Sequence, residues 1–480
     1  MDLSFLPAWR LAELTRSGEI GCLDLLEHFI ARTLRLNPRL NAVVVQDLER
    51  ARERAKELDH SSRADAGPLF GVPMTVKESF DLAGHPTTFG YADRKSHRAG
   101  ADALAVRRLE AAGAVVFGKT NVPVGLADWQ SYNPLYGTAR NPWHSGHTPG
   151  GSSGGAAAAC AAGLSALELG SDIGGSIRVP AHYCGLFGLK PSWGLCSPRG
   201  HSLTNAAAMT DISAIGPLAR SARDLSLALD AILGPDPAES ALAYALPPPR
   251  ATRLPELRIA VWSDEPGQAT DAETVALIEE LARHLEGQGA EVSRTVRPEF
   301  DPVEAFHLYL TLLDAALSAR ATEEDLAQKR EAKAALRAND FSTHSFIVRA
   351  VDLSHRDWLR LNERRFQIRR LWGAFFEQWD VLLCPVIATP ALPHMQEGET
   401  WERTYHVNGR AIAYNDMLFW PGVTCGFHLP ASVAPLGLSA SGLPIGVQIA
   451  SRFGGDRTTI QAAEFLETSW RGFVAPPGWE

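Results

Sequence analysis

Two loops rich in serine and glycine are the part of the sequence best suited to chemistry. Residues 150–155 read GGSSGG and residues 170–178 read GSDIGGSIR. Glycines allow sharp turns that bring backbone N–H groups close to a reacting oxygen, and serine hydroxyls can act as nucleophile and proton relay. A flexible linker has a similar composition, but a linker gives no reason to pair serines with glycines at both ends of a predicted helix. We therefore interpret the two loops as parts of a catalytic centre.

A serine nucleophile needs a base, and the sequence offers a lysine rather than a histidine. No histidine or carboxylate lies near either serine in a Ser-His-Asp order, and the GxSxG elbow is absent. Lysine is the known substitute for histidine in serine enzymes. Lys77 ends the mostly apolar run at residues 72–76. Burial there would lower the pKa of its amine and favour the neutral form that a base requires.

A second motif, GAVVFGKT at residues 113–120, matches the phosphate-binding pattern GxxxxGK[ST]. In a true phosphate loop the four intervening residues form a turn, and a helix follows the lysine. Here the intervening residues are apolar and typical of a buried strand, and Asn121-Val122-Pro123 follows. We therefore exclude nucleotide binding at this motif.

The two glycine-rich loops, together with the segment Val76-Lys77-Glu78, resemble the motifs of the amidase signature family. The spacing of Lys77, Ser152 and Ser176 matches the spacing expected for that family. Further segments that carry the resemblance are residues 118–123, 185–191, 216–220 and 442–448. The resemblance covers most of the chain except about residues 235–377.

The resemblance implies a role for each matching residue. Ser176 would be the nucleophile, Ser152 a bridging serine held by a cis peptide bond, and Lys77 the ultimate base. The oxyanion would be held by backbone N–H groups of Ile173, Gly174, Gly175 and Ser176. Four further residues would fix the loops around them: Ser153, Ser171, Asp172 and Arg178. The family usually has Thr where Ser171 stands and often Ser where Ala156 stands, and both departures are mild.

The substrate is less well defined than the catalytic residues. Leu126, Ala127 and Trp129 resemble the pocket-lining segment of the family, and Tyr414, Phe419 and Trp420 are candidates for further aromatic walls, with ordinary packing as the alternative. An aromatic and aliphatic pocket favours hydrophobic acyl or aryl groups. The resemblance therefore implies an amidase that hydrolyses the C–N bond of a small hydrophobic or aryl amide through an acyl-enzyme. Esterase or urethanase activity stays open, because the same site accepts esters and carbamates.

Two other functions compete with this one. The first is the catalytic subunit of the glutamine-dependent transfer-RNA amidotransferase, which resembles the same family but works with partner proteins. No glutamine-binding features are recognisable in the helical middle of the chain, and no basic region suggests a transfer-RNA partner. The second is a catalytically dead binding protein, which the intact Lys77, Ser152 and Ser176 disfavour.

The surrounding pattern predicts how these loops are positioned. Strand-like runs at residues 72–76, 114–117 and 186–189 alternate with helix-like segments at 102–112 and 155–170. This alternation predicts an α/β fold: a single large domain with a mixed, twisted central sheet covered by helices on both faces. The predicted parts are an N-terminal helical cap (1–60), a catalytic core (61–234), a proline-rich excursion (235–256) and the rest of the core (257–480), with a helical insertion at about 301–379.

Composition excludes several classes of protein. The 480 residues are 45% hydrophobic and 21% charged, as in an ordinary globular chain. The net charge of −9 argues against a nucleic-acid partner. Six scattered cysteines without a CxxC pair, and no HExxH, predict reduced thiols, no metal and no cofactor. With no secretory signal and no apolar run of about 18 residues, we expect no membrane contact and a cytoplasmic location. The family resemblance adds a homodimer as the common arrangement.

Overall fold

One large mixed sheet organises the chain. The computed structural model describes residues 2–203, 206 and 208–479. Its strands are β1 (Val43–Gln46), β2 (Pro73–Lys77), β3 (Val115–Thr120), β4 (Tyr132–Asn133), β5 (Gly137–Thr138), β6 (Leu167–Asp172), β7 (Phe187–Lys190), β8 (Ala214–Ala219), β9 (Arg258–Val261), β10 (Glu291–Ser293), β11 (Val381–Pro385), β12 (Thr404–Val407), β13 (Arg410–Ala413), β14 (Ala431–Leu438) and β15 (Pro444–Ala450). Eleven of them form the sheet, in the order β1-β3-β2-β6-β8-β7-β14-β15-β11-β9-β10.

Helices cover both faces of this sheet. They are α1 (Ala8–Ser17), α2 (Cys22–Leu40), α3 (Leu48–His60), α4 (Leu104–Ala111), α5 (Gly154–Ala161), α6 (Arg178–Cys184), α7 (Ala222–Ile232), α8 (Ala272–Gly287), α9 (Pro302–Ser318), α10 (Glu323–Ala335), α11 (Thr343–Arg349), α12 (His355–Gln378), α13 (Phe419–Cys425) and α14 (Asp456–Ser469). Within β9, Ile259 and Val261 pack into one hydrophobic cluster, and Ala260 packs into another. Successive strand residues point to opposite faces, so each face has its own core. The predicted fold class is confirmed.

Two boundaries differ from the predicted pattern. The helix expected over residues 155–170 ends at Ala161, and residues 167–172 form β6 instead. Gly163 has φ +70° just beyond the helix, a conformation that glycine adopts without strain. The two glycine-rich loops therefore flank a helix and a strand, not one helix. In the N-terminal region, β1 lies between the helices α2 and α3.

Three strands bring the predicted catalytic loops together. β2 pairs in parallel with β3 on one side and with β6 on the other, with Val76 opposite Leu169. Parallel strands place their carboxyl ends at the same edge of a sheet, which is where open α/β sheets bind ligands. Lys77 ends β2 and Asp172 ends β6. The residues that follow both strands therefore meet at this edge.

The excluded phosphate motif lies within the same group of strands. Residues 115–120 of the motif form β3 and are buried throughout. The amine of Lys119 contacts the carbonyl of Pro86 and lies 3.0 Å from Oγ1 of Thr87. The structure therefore has a buried strand, not a phosphate-binding turn. Among the described helices, none combines the length and the apolar character needed to cross a bilayer.

Candidate active site

Lys77 lies at the centre of a small cluster of hydroxyl groups. Its Nζ lies 2.7 Å from Oγ of Ser152 and 2.9 Å from Oγ of Ser171. Lys77 has no exposed surface, and Ser152 is 1% exposed. The amine therefore contacts neutral acceptors and no carboxylate of the described residues. Burial is the largest influence on this group and lowers the pKa of Lys77 well below its usual 10.5, against a smaller opposing effect of Asp172.

The loop that carries Ser152 is held tightly against its neighbours. The peptide bond between Gly151 and Ser152 is cis, as the family resemblance implied. A Cβ on Gly151 would lie 2.3 Å from the carbonyl oxygen of Asp128, so only glycine fits there. Ser131 closes the loop, because its hydroxyl donates to the carbonyl of Gly150 (3.1 Å) and accepts from the N–H of Gly154 (3.0 Å).

Ser176 lies beside this loop. Its backbone carbonyl accepts a hydrogen bond from the N–H of Ser153 at 3.2 Å. The Ser153 hydroxyl in turn donates to the carbonyl of Ser171 at 3.3 Å. Ser176 is 7% exposed, more than Lys77 or Ser152. Among the described residues, no hydrogen bond engages the Ser176 hydroxyl, so it is free to contact a ligand.

A buried ion pair shapes the loop that presents Ser176. The carboxylate of Asp172 accepts from the backbone N–H groups of Gly175 (2.9 Å) and Ile177 (3.0 Å). It also pairs with the guanidinium of Arg178 at 2.9 Å, and neither side chain has exposed surface. Although burial alone would raise the pKa of Asp172, the charge and hydrogen bonding of Arg178, together with Lys190 and the N–H of Ile177, lower it overall. The loop therefore turns around a carboxylate that stays charged.

The carbonyl groups of this loop are held from outside. The indole N–H of Trp129 donates to the carbonyl of Gly174 at 2.9 Å, and the hydroxyl of Tyr309 donates to that of Ile173 at 3.0 Å. The N–H groups of Ile173, Gly174 and Ser176 have no partner among the described residues. Gly175 was predicted to be a fourth oxyanion donor, but its N–H donates to the carboxylate of Asp172. Three of the four predicted oxyanion donors are thus unengaged.

The predicted substrate residues divide into two groups. Leu126 is half-buried at φ +61°, Ala127 is exposed, and Trp129 is buried with its ring 5.3 Å from that of Tyr414. These residues adjoin the Ser176 loop through Trp129. Phe419 and Trp420 pack edge-on against Trp262 in the hydrophobic core, and the N–H of Trp420 donates to Thr270. The last two are therefore core residues, in line with the packing alternative.

Sequence reasoning missed the contributions of Tyr309 and Ser131. Tyr309 lies on α9, in the part of the chain that the family resemblance does not cover. Its position among apolar residues at helical spacing indicates a buried hydroxyl that needs a partner, but no pattern in the sequence names Ile173 as that partner. Ser131 carries no motif of its own. Neither contact has a signal in a single sequence.

Comparisons with known proteins identify the family of the chain. The family model Amidase matches residues 24–460. The chain is 32% identical to an indoleacetamide hydrolase of Bradyrhizobium diazoefficiens, over 99% of this chain and 89% of the relative. It is 30% identical to a glutamyl-tRNA(Gln) amidotransferase subunit from a Synechococcus strain, over 98% and 97%. The structure of 6-aminohexanoate cyclic dimer hydrolase complexed with substrate superposes with TM-score 0.79 and 29% identity over the full length of both chains. On these grounds the chain belongs to the amidase signature family of amidohydrolases.

Proposed function

We propose that this protein hydrolyses the C–N bond of a small, hydrophobic or aryl amide through a Ser-cisSer-Lys mechanism. The contact between the buried amine of Lys77 and the hydroxyl of Ser152 carries the proposal. A lysine whose pKa is lowered by burial can accept a proton near neutral pH. Its neighbour Ser152 is then the group through which that proton arrives.

The proposed reaction proceeds in two acyl-transfer steps. Ser152 gives its proton to neutral Lys77 and takes the proton of Ser176, whose Oγ attacks the amide carbon. N–H groups of Ile173, Gly174 and Ser176 stabilise the oxyanion. The relay then delivers the proton to the leaving nitrogen, the C–N bond breaks, and an ester on Ser176 remains. Water, deprotonated by the same relay, attacks this ester and releases the acid.

The preference for a hydrophobic or aryl substrate rests on the Trp129 side of the site. Trp129 packs against Tyr414 while holding Gly174, so an aromatic surface lies next to the predicted oxyanion donors. One relative is named for the hydrolysis of indoleacetamide, an amide that carries an aromatic ring. Esters and carbamates remain further candidates, because the same attack by Ser176 would open them.

The transfer-RNA amidotransferase subunit is the second candidate function, favoured by the relative at 30% identity. It predicts activity that depends on partner subunits, glutamine and ATP. A free-standing amidase needs none of them. Cleavage of simple amides by the purified chain alone therefore decides between the two.

The first experiment measures product release from p-nitroanilides, p-nitrophenyl esters and aryl carbamates of varied acyl length. Ser176→Ala is the test variant, and Ser240→Ala, at an exposed serine, is the matched control. We expect anilide cleavage that Ser176→Ala abolishes and Ser240→Ala leaves unchanged. Cleavage of esters or carbamates alone would make the protein an esterase or urethanase. Anilide cleavage retained in Ser176→Ala would remove the nucleophile.

A fluorophosphonate probe separates the enzyme from a catalytically dead protein. Ser176 should be labelled in the natural chain, while a dead site would leave it unlabelled. Three features stay predictions from the sequence: a homodimer, a cytoplasmic location and the boundaries of the four predicted parts of the chain. Sedimentation can measure the first of them.

A further inference from the structure

The short segment at residues 128–132 contacts both glycine-rich loops. A Cβ on Gly151 would lie 2.3 Å from the carbonyl oxygen of Asp128, so the segment packs closely against the first loop. The indole N–H of Trp129 donates to the carbonyl of Gly174, in the second loop, at 2.9 Å. Two consecutive residues of one segment therefore touch the loop of each predicted catalytic serine.

A shielded carboxylate anchors this segment. Oδ1 of Asp128 accepts from the hydroxyl of Tyr414 at 2.7 Å, and Oδ2 accepts from the guanidinium of Arg403 at 2.6 Å. The side chains of Asp128 and Arg403 are each 7% exposed. Arg403 also donates to the hydroxyl of Tyr132 at 2.9 Å. One guanidinium thus contacts both ends of the segment.

The groups that anchor the segment come from a distant part of the chain, residues 395–414. Arg403 and Tyr414 flank the hairpin of β12 and β13, and the N–H of Tyr414 donates to the carbonyl of Arg403 at 3.0 Å. Before the hairpin, Met395 exchanges two backbone hydrogen bonds with the side-chain amide of Gln130, at 2.6 and 2.8 Å. The hairpin and its flanks therefore fix the segment through directed polar contacts.

The charged pair gives this anchor an orientation that apolar packing would not give. Shielding an ion pair from water costs free energy that the attraction of the two charges does not always recover. A carboxylate with one donor on each oxygen, however, satisfies both hydrogen bonds in only one orientation. Trp129 follows Asp128 directly in the chain, so the orientation of Asp128 also determines where the indole lies.

We propose that Asp128 is a positioning residue for the reaction. Held by Arg403, it keeps the indole of Trp129 on the carbonyl of Gly174 and so preserves the shape of the predicted oxyanion loop. This inference rests on the proposed function and adds Asp128 and Arg403 to it as residues that act through Trp129.

The contact at Gly174 matters because a peptide group is planar. Fixing the carbonyl of Gly174 also fixes the direction of the N–H of Gly175, which donates to Asp172 at 2.9 Å. This peptide group lies between the two that carry the N–H groups of Gly174 and Ser176, both predicted oxyanion donors. A rotation of the middle peptide group would therefore turn its neighbours away from the oxyanion.

The test is a double-mutant cycle of Asp128→Asn and Trp129→Phe, measured as kcat on a neutral p-nitroanilide. Asparagine offers an N–H₂ group to one of the two donors that the carboxylate accepts from, and phenylalanine removes the indole N–H. Each single variant should lower kcat by about tenfold, as a small misplacement of catalytic groups does. The double variant should lose no more than the weaker single variant, because one residue acts through the other.

A purely structural pair would leave a different signature. Arg403→Met would then lower the midpoint of urea denaturation without changing kcat of the folded chain. The matched control is Arg258→Met, which removes the 2.8 Å contact with Asp380, a side chain that is 4% exposed. We expect this control to keep its kcat. Arg403→Met should lose kcat, and Arg403→Lys should recover part of it, since an ammonium can still pair with the carboxylate.

Two results would overturn the proposal: an unchanged kcat in Asp128→Asn, or losses that multiply in the double variant. If Asp128→Asn does not fold, Tyr414→Phe takes its place in the cycle, because it removes one hydrogen bond from the same carboxylate. Failure of the proposed function looks different from either result. The natural chain would then cleave no anilide, or Ser176→Ala would cleave it equally well.

Discussion

Lys77 and Arg178 are two buried cationic side chains near Ser176, and their surroundings differ. Lys77 contacts the hydroxyls of Ser152 and Ser171, and burial lowers the pKa of its amine. Arg178 contacts the carboxylate of Asp172 at 2.9 Å. Burial also lowers the pKa of Arg178, but the charge and hydrogen bonding of Asp172, together with Cys425 and Tyr309, raise it overall. The neighbouring groups, not the depth of burial, therefore decide which of the two side chains keeps its charge.

This contrast assigns different tasks to the two regions. A neutral amine among hydroxyls can exchange protons, so the Lys77 region suits catalysis. A charged guanidinium with a carboxylate cannot release its proton, and Arg178 also donates to the carbonyl of Pro421 and the hydroxyl of Thr424. The Arg178 region therefore ties the loop of Ser176 to α13. Variants in the two regions should separate loss of chemistry from loss of stability.

Of the variants in these two regions, Lys77→Met should produce the larger loss of activity. Removal of the base should lower kcat on a neutral anilide by about 10³-fold. The free energy of unfolding should stay the same or rise, because a buried amine without a counter-ion is replaced by an apolar side chain of similar length. Steady-state kinetics and urea denaturation measure the two effects. A variant that unfolds more easily at unchanged kcat would reverse the assignment.

Arg178→Met should produce the largest loss of stability. It leaves the buried carboxylate of Asp172 without its partner, which costs about 3–5 kcal/mol in the free energy of unfolding. Arg364→Met is the matched control, because the ion pair of Arg364 with Glu304 is exposed (40% and 47%) and should contribute about 1 kcal/mol or less. Equal denaturation midpoints for the two variants would contradict the structural role of Arg178.

The pH dependence of kcat/KM should follow Lys77 alone. Protonated Lys77 cannot accept a proton, so activity rises with pH as the amine deprotonates, by about tenfold per unit below its pKa. Since burial lowers that pKa, the rise should be complete well below pH 10.5. A flat profile, measured where chemistry limits the rate, would argue against Lys77 as the base.

Tyr309→Phe should have a smaller effect. It removes the hydrogen bond to the carbonyl of Ile173 and loosens the predicted oxyanion loop, which should lower kcat by about tenfold at most. The control is Tyr405→Phe, at a buried tyrosine whose hydroxyl makes no hydrogen bond with any described residue. An unchanged kcat in Tyr309→Phe would mean that Trp129 alone suffices to hold the loop.

The sequence indicated that Lys77 and Ser152 lie together, but it missed part of the framework that positions them. Glycine, serine and lysine at a fixed spacing form motifs that can be recognised in a single sequence. Lys77 and Ser152 could therefore be named in advance, and the structure has their side chains in contact. β6 was missed because its glycine and polar residues obscure the strand pattern, although the sheet buries them all. Contacts from α9, such as that of Tyr309, join residues that are far apart in the chain. The spacing of residues along the sequence does not indicate which distant residues come into contact.

The position of β6 makes the chain intolerant of insertions there. Ser171 and Asp172 are consecutive strand residues, so their side chains leave opposite faces, one toward Lys77 and one toward Arg178. One residue added before Ser171 would shift the register and exchange the two faces. The hydroxyl of Ser171 would then no longer face the amine of Lys77, and the carboxylate of Asp172 would no longer face the guanidinium of Arg178. Length variation among relatives should therefore avoid this strand, even where loops nearby tolerate it.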